Sequence, residues 1–174
     1  MKLLAITLVS LVSLLAQASE GVFKLGFVDL QKTLQSVEAG KAAKSTLEKE
    51  VTSKRTGLEK QQQQLQKEAE EFEKKAGLMN ESAKNQKQQE LQKKFAELQK
   101  TATESQMELQ KRERELTKPI IDEIRSVVEA LGKEKGLTLV LEKNEGAVLY
   151  AQSGEDLTES VIEKFNSRSK SKKK

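Results

Sequence analysis

From Val51 to Met79 the chain reads VTSKRTGLEKQQQQLQKEAEEFEKKAGLM, with Val51, Leu58, Leu65, Phe72 and Met79 spaced seven residues apart. An apolar residue every seventh position, among Lys, Glu and Gln and without proline, is the pattern of a helix that packs along one narrow stripe, as in a coiled coil. The same character extends back to about Glu38. The predicted helix is about 40 residues and about 60 Å long. A domain of this size cannot wrap such a rod, so the rod projects into solvent.

The break comes at Ala76-Gly-Leu-Met-Asn80, where Gly77 and Asn80 tolerate left-handed conformations and Asn80 or Ser82 offers an N-cap. Past it, Leu91, Phe95, Leu98, Ala102, Leu109 and Leu116 recur at steps of three, four or seven. An antiparallel hairpin hinged near residue 80 follows, with Leu91, Phe95 and Leu98 opposite Phe72 and Leu65. Gln61, Glu68 and Lys75 occupy the companion heptad positions, so half of the seam is polar and the pair is soft. Pro119 is expected to interrupt the return helix near residue 117 and kink it. Ile120, Ile124, Val127 and Leu131 then restore an apolar stripe ending at Gly132.

The flanking sequence has a different period. Phe23 to Leu30 alternates, with Phe23, Leu25 and Phe27 on one apolar face, and predicts a short strand. Leu137–Leu141 and Ala147–Tyr150, separated by a turn containing Asn144 and Gly146, predict a β-hairpin. Asp156 or Thr158 then caps a short helix with Leu157, Val161, Ile162 and Phe165 inward. Asp29, the one acid of the first strand, has no second acid at a catalytic spacing and suits a strand end or helix cap.

The expected fold is α+β, mainly α: a long antiparallel helical-hairpin (coiled-coil) arm projecting from a small β-containing base. Its boundaries are a signal peptide at 1–18, the first strand and short helix of the base at 19–40, the arm at 41–117 with its tip near 77–82, the remaining base at 118–166, and a disordered basic tail at 167–174. Strands this few cannot anchor two such helices alone. Oligomerisation through them closes the sheet edges and shares one core among several chains.

The chain has no His and no Cys, which removes Cys/His zinc sites, thiolate chemistry and the usual general base. No cofactor or metal is expected. Lys2, the apolar run Leu3–Leu15 and Ala16-Gln17-Ala18 form a secretory signal with cleavage near Ala18. The run is shorter than the roughly 20 residues of a spanning helix. The formal charge is +4, but residues 168–174 alone carry +5 through Arg168, Lys170, Lys172, Lys173 and Lys174, leaving −2 on residues 19–167. Such a tail suits an anionic lipid or lipopolysaccharide surface. It has no aromatic residue for base stacking, so no specific nucleic acid is expected.

Gly26-Phe-Val-Asp-Leu-Gln-Lys-Thr-Leu-Gln35, Ala39-Gly-Lys-Ala-Ala43, Glu134-Lys-Gly-Leu-Thr-Leu-Val-Leu141, Ala147-Val-Leu-Tyr150 and Asp156-Leu-Thr158 together resemble the Skp/OmpH periplasmic chaperones. The resemblance spans the mature chain, and its specific part lies at the two ends. It implies a Gram-negative periplasmic location and a homotrimer in which strands of three chains form a common body. Three helical hairpins then surround a cavity that holds unfolded outer-membrane β-barrel proteins without ATP. The implied activity is that of a holdase, not an enzyme; the alternative is a structural or adaptor coiled coil of the cell envelope.

On this reading Leu25, Phe27, Leu137, Leu139, Leu141, Val148 and Tyr150 build the oligomerisation base. Leu78, Met79, Lys74, Lys75, Lys84 and Lys87 near the tip are candidate client contacts, Met being adaptable to varied surfaces. Phe72 and Phe95 are expected in the seam. Two features depart from the family: residues 41–116 hold 17 Lys and Arg against 14 Asp and Glu, less basic than its arms, and the Ser167–Lys174 extension has no familiar counterpart.

Overall fold

The computed structural model describes residues 23–143, 150 and 154–171. In chain order the elements are β1 (Leu25–Val28), α1 (Leu30–Ser36), α2 (Glu38–Lys75), a 3₁₀ turn (Ala76–Leu78), α3 (Glu81–Glu134), β2 (Leu139–Glu142), β3 (Glu155–Asp156) and α4 (Thr158–Ser171). Helices of 38 and 54 residues run about 57 and about 81 Å. Only their root ends are buried. The rest is the arm.

The core lies where α1, α3, α4 and β1 meet. Val37, Ile124, Val127, Leu157, Val161 and Phe165 are almost wholly removed from solvent there, each contributing about 1.5–3 kcal/mol of burial. Caps fix the element starts. The Asp29 carboxylate accepts from the Lys32 amide at 2.7 Å, and Asn80 caps α3 by accepting from the Ala83 amide at 2.8 Å. Gly40 allows α2 to start against the backbone of α1: a Cβ there would sit 1.7 Å from the Leu34 carbonyl oxygen.

Three expectations change, and the sheet adds a pairing. Pro119 does not interrupt the return helix, because α3 is continuous from Glu81 to Glu134. A proline inside a helix costs about 3 kcal/mol, and burial of Ile120, Ile124 and Val127 just beyond it outweighs that cost. The tip turns through a 3₁₀ segment, and among the described residues the positive φ belongs to Gly136 (63°), beyond the end of α3. The strand Leu139–Glu142 pairs with β1, parallel, in the register Leu25↔Leu139 and Phe27↔Leu141, and β3 flanks β1 on its other side; the hairpin partner expected at Ala147–Tyr150 lies almost wholly outside the described residues. The tail is not disordered from residue 167: α4 continues to Ser171, with Arg168 and Lys170 in its last turn, where cations favour the helix dipole.

The predicted signal peptide, Val148 with most of the second hairpin strand, and Lys172, Lys173 and Lys174 lie outside the described residues. Among the described residues no helix is long and apolar enough to cross a membrane.

Candidate functional site

The two arm helices are held in register by charge. Glu50 meets Arg112 at 3.0 Å, Lys54 meets Glu108 at 2.5 Å, and Glu68 meets Lys94 at 2.6 Å. In every pair the residue numbers add to 162, so three bridges spread along the arm specify one alignment. Their hydrogen bonds are reflected in protonation. Lys94 holds the Glu68 carboxyl below its ordinary range, Lys54 does the same for Glu108, and Glu50 raises Arg112.

The apolar part of the seam is thin. Leu58, Leu65, Phe72, Leu91, Leu98, Leu109 and Leu116 are half-buried. Between them lies an open cleft of about 300 Å³ whose lining includes Gln61, Leu65, Glu68, Lys94, Leu98 and Thr101. Gln61 and Glu68 therefore sit at the polar seam positions expected of them. Lys75 instead pairs along its own helix with Glu71 at 3.5 Å.

Phe95 and Val51 are corrections: they are 55% and 42% exposed. An α-helix with 3.6 residues per turn drifts about 20° per seven residues against a strict heptad. Toward the root of α2 the seam passes from the heptad line to Glu50 and Leu47. On α3 the column containing Phe95 and Ala102 enters the seam only at Leu109 and Leu116.

The tip residues do not form one surface. Leu78 is 91% exposed, and Lys74 is exposed. Met79 folds back with Phe72, Lys75 and Lys87 around a small recess. Lys87 is drawn into the seam by Glu68 at 3.4 Å and Glu90 at 3.1 Å, while Lys84 is half-buried.

At the base the structure does bring candidates together. The parallel register places Leu25, Phe27, Leu139 and Leu141 on one sheet face, while the alternate residues Gly26 and Val28 are buried. The apolar face expected from the alternation of Phe23, Leu25 and Phe27 is thus the less covered face of the sheet. Phe23 is 61% and Leu139 43% exposed. Leu137 packs into the core, and Tyr150 is exposed. Beside β2 an open groove of about 440 Å³ is lined by Leu30, Val128, Leu137 and Val140 among others. Among the described residues no group of acidic side chains is arranged to hold a metal ion.

A crystal structure of an OmpH-like protein from Caulobacter crescentus CB15, assigned as an outer membrane chaperone, superposes with a TM-score of 0.74 at 19% identity, covering 84% of this chain and 85% of that one. Among curated proteins none matches the sequence. The family model described as "Outer membrane protein (OmpH-like)" matches residues 24–165, from the start of β1 through the buried half of α4, and on that match the chain belongs to the OmpH-like family.

Proposed function

We propose that this protein is an ATP-independent periplasmic holdase that keeps unfolded outer-membrane β-barrel proteins from aggregating, acting as a homotrimer whose helical arms enclose the client. The observation that carries the reading is the contrast between arm and base. More than 30 residues of each arm helix, 44–75 of α2 and 81–115 of α3, lie beyond the core, around an open, half-polar seam. A rod so built is not for stability; it presents length and compliance.

The base supplies what an assembly needs. Leu25, Phe27, Leu139 and Leu141 share an incompletely covered sheet face, and exposed apolar area of this kind favours association. Membership of the OmpH-like family and the likeness to a protein assigned as an outer membrane chaperone support both the chaperone class and the periplasmic location. Arg168 and Lys170, followed by Lys172, Lys173 and Lys174, complete the reading as an attachment to anionic lipid.

The test is dilution of a urea-denatured outer-membrane β-barrel protein out of denaturant, with and without this chain, following turbidity and the mass of the soluble complex. Suppressed turbidity with a complex of three chains and one client is expected. Unchanged turbidity refutes the reading.

A further inference from the structure

The two flanks of the arm differ in charge. On α3 the half-buried residues Leu91, Lys94, Leu98, Thr101, Ser105 and Arg112 face α2. At about 100° per residue, the flank on one side of them is formed by Gln88, Gln92, Phe95, Gln99, Ala102 and Gln106, and from Asn85 to Gln110 it carries no charged side chain. The flank on the other side carries Glu90, Lys93, Glu97, Glu104 and Glu108. On α2 the same side carries Leu58, Gln62, Gln66 and Ala69, an uncharged stretch bounded by Arg55 and Glu73.

Two observations tie the flanks of the two helices together. The polar cleft that includes Gln64 of α2 and Glu97 of α3 opens on the charged side. At the root of the arm, a recess of about 190 Å³ that includes Leu34, Ala43, Leu47 and Leu116 opens on the uncharged side. From Asn85 to Gln110 the uncharged strip is about 38 Å long, and it runs toward that recess, at whose edge the charges of Lys44 and Glu113 begin.

We propose that this flank, centred on Phe95, is the surface on which each arm holds an extended, uncharged stretch of unfolded polypeptide; the inference rests on the holdase reading above. Each glutamine amide offers two donors and an acceptor, the same groups that an extended chain presents every 3.2–3.4 Å or so. Phe95, 55% exposed, supplies one aromatic contact without a fixed pocket. The absence of charge matters as much. A carboxylate or ammonium stripped of water by an uncharged client costs far more than an amide that regains a hydrogen bond. A second helix is a poor occupant, because one phenylalanine among glutamines gives no heptad seam.

The experiment uses the full chain and a urea-denatured β-barrel protein as client. Gln92→Glu/Gln99→Glu/Gln106→Glu places three charges on the flank, and Gln63→Glu/Gln86→Glu/Gln89→Glu places the same charge on exposed positions elsewhere on the arm. The flank variant is expected to bind client at least about tenfold more weakly, the control within about twofold. A benzophenone side chain at position 95 or 99 in the otherwise native chain should crosslink to client, and one at 93 or 104 should not. These single exposed substitutions read the surface even if the triple variant loses helix content.

Equal loss in both triple variants, crosslinks from 93 and 104, or copy-to-copy crosslinks from 95 without client would each overturn the proposal. So would a native chain that holds client while the flank variant holds it equally well, leaving the holdase reading intact. A native chain that suppresses no aggregation removes both.

Discussion

Glu68 and Lys94 face each other across the hairpin at 2.6 Å, in the middle of a seam where a coiled coil places apolar residues. The Glu68 side chain is 23% exposed and also receives Lys87 at 3.4 Å. Glu68→Ala leaves Lys87 and Lys94 paired only with Glu90 of their own helix and removes their link to α2, so amide exchange should accelerate across residues 61–101. Glu68→Leu with Lys94→Leu restores an apolar layer and should slow it, since a well-packed apolar pair commonly equals or exceeds an ion pair it replaces. Hydrogen exchange by mass spectrometry distinguishes the two directions.

Gly40 and Gly57 make an opposed pair on α2. A Cβ at Gly40 meets the Leu34 carbonyl oxygen at 1.7 Å, whereas one at Gly57 meets nothing within 4 Å. Gly40→Ala should destabilise the base by about 1–3 kcal/mol. Gly57→Ala should stabilise its exposed helix by up to about 1 kcal/mol. Urea titrations of the two variants read both signs.

Asp156 gives the base an acid limit. Hydrogen bonds from the Thr158 side chain and backbone, with Lys143 at 3.0 Å, lower its carboxyl from 3.8 to about 2. A depressed carboxylate stabilises the fold fully above its unfolded value and loses that contribution as pH falls through the folded one. Stability at pH 5 should therefore decline between about pH 4 and pH 2. Asp156→Asn should be less stable at pH 5 and flatter over that interval, as measured by melting temperature against pH.

The arm was largely legible from the sequence because its signals are local. The heptads, the absence of proline in α2 and the Asn80 cap each act within a few residues, and Asp29 is indeed a helix cap. What escaped depends on distant partners. The pairing of Leu139 with Leu25 across 114 positions has no local mark, and β3 is too short to alternate. Phe95 fits a heptad, yet the accumulated drift of a 3.6-residue helix decides its exposure. The bridges of Glu50, Lys54 and Glu68 become recognisable only once the alignment is known. Of the proposed site, the base leucines converge, whereas the tip lysines divide between solvent and seam.

The basic C-terminus proposed to meet an anionic surface begins on α4, which carries Arg168 and Lys170 as helical residues. Each Lys or Arg held near an anionic surface contributes about 1 kcal/mol. The full chain should co-sediment with anionic vesicles at low salt and be released at high salt, and truncation after Asn166 should abolish attachment. Equal sedimentation of both forms would place any lipid affinity elsewhere.

The most direct measurement removes the arm. Excising residues 51–111 and joining Glu50 to Arg112 through a short loop keeps the observed register and one of its bridges. Light scattering should still find three chains, and the armless assembly should fail to keep a diluted β-barrel protein soluble while the full chain succeeds. An armless assembly that holds client as well as the full chain would contradict the account and move the site to the base.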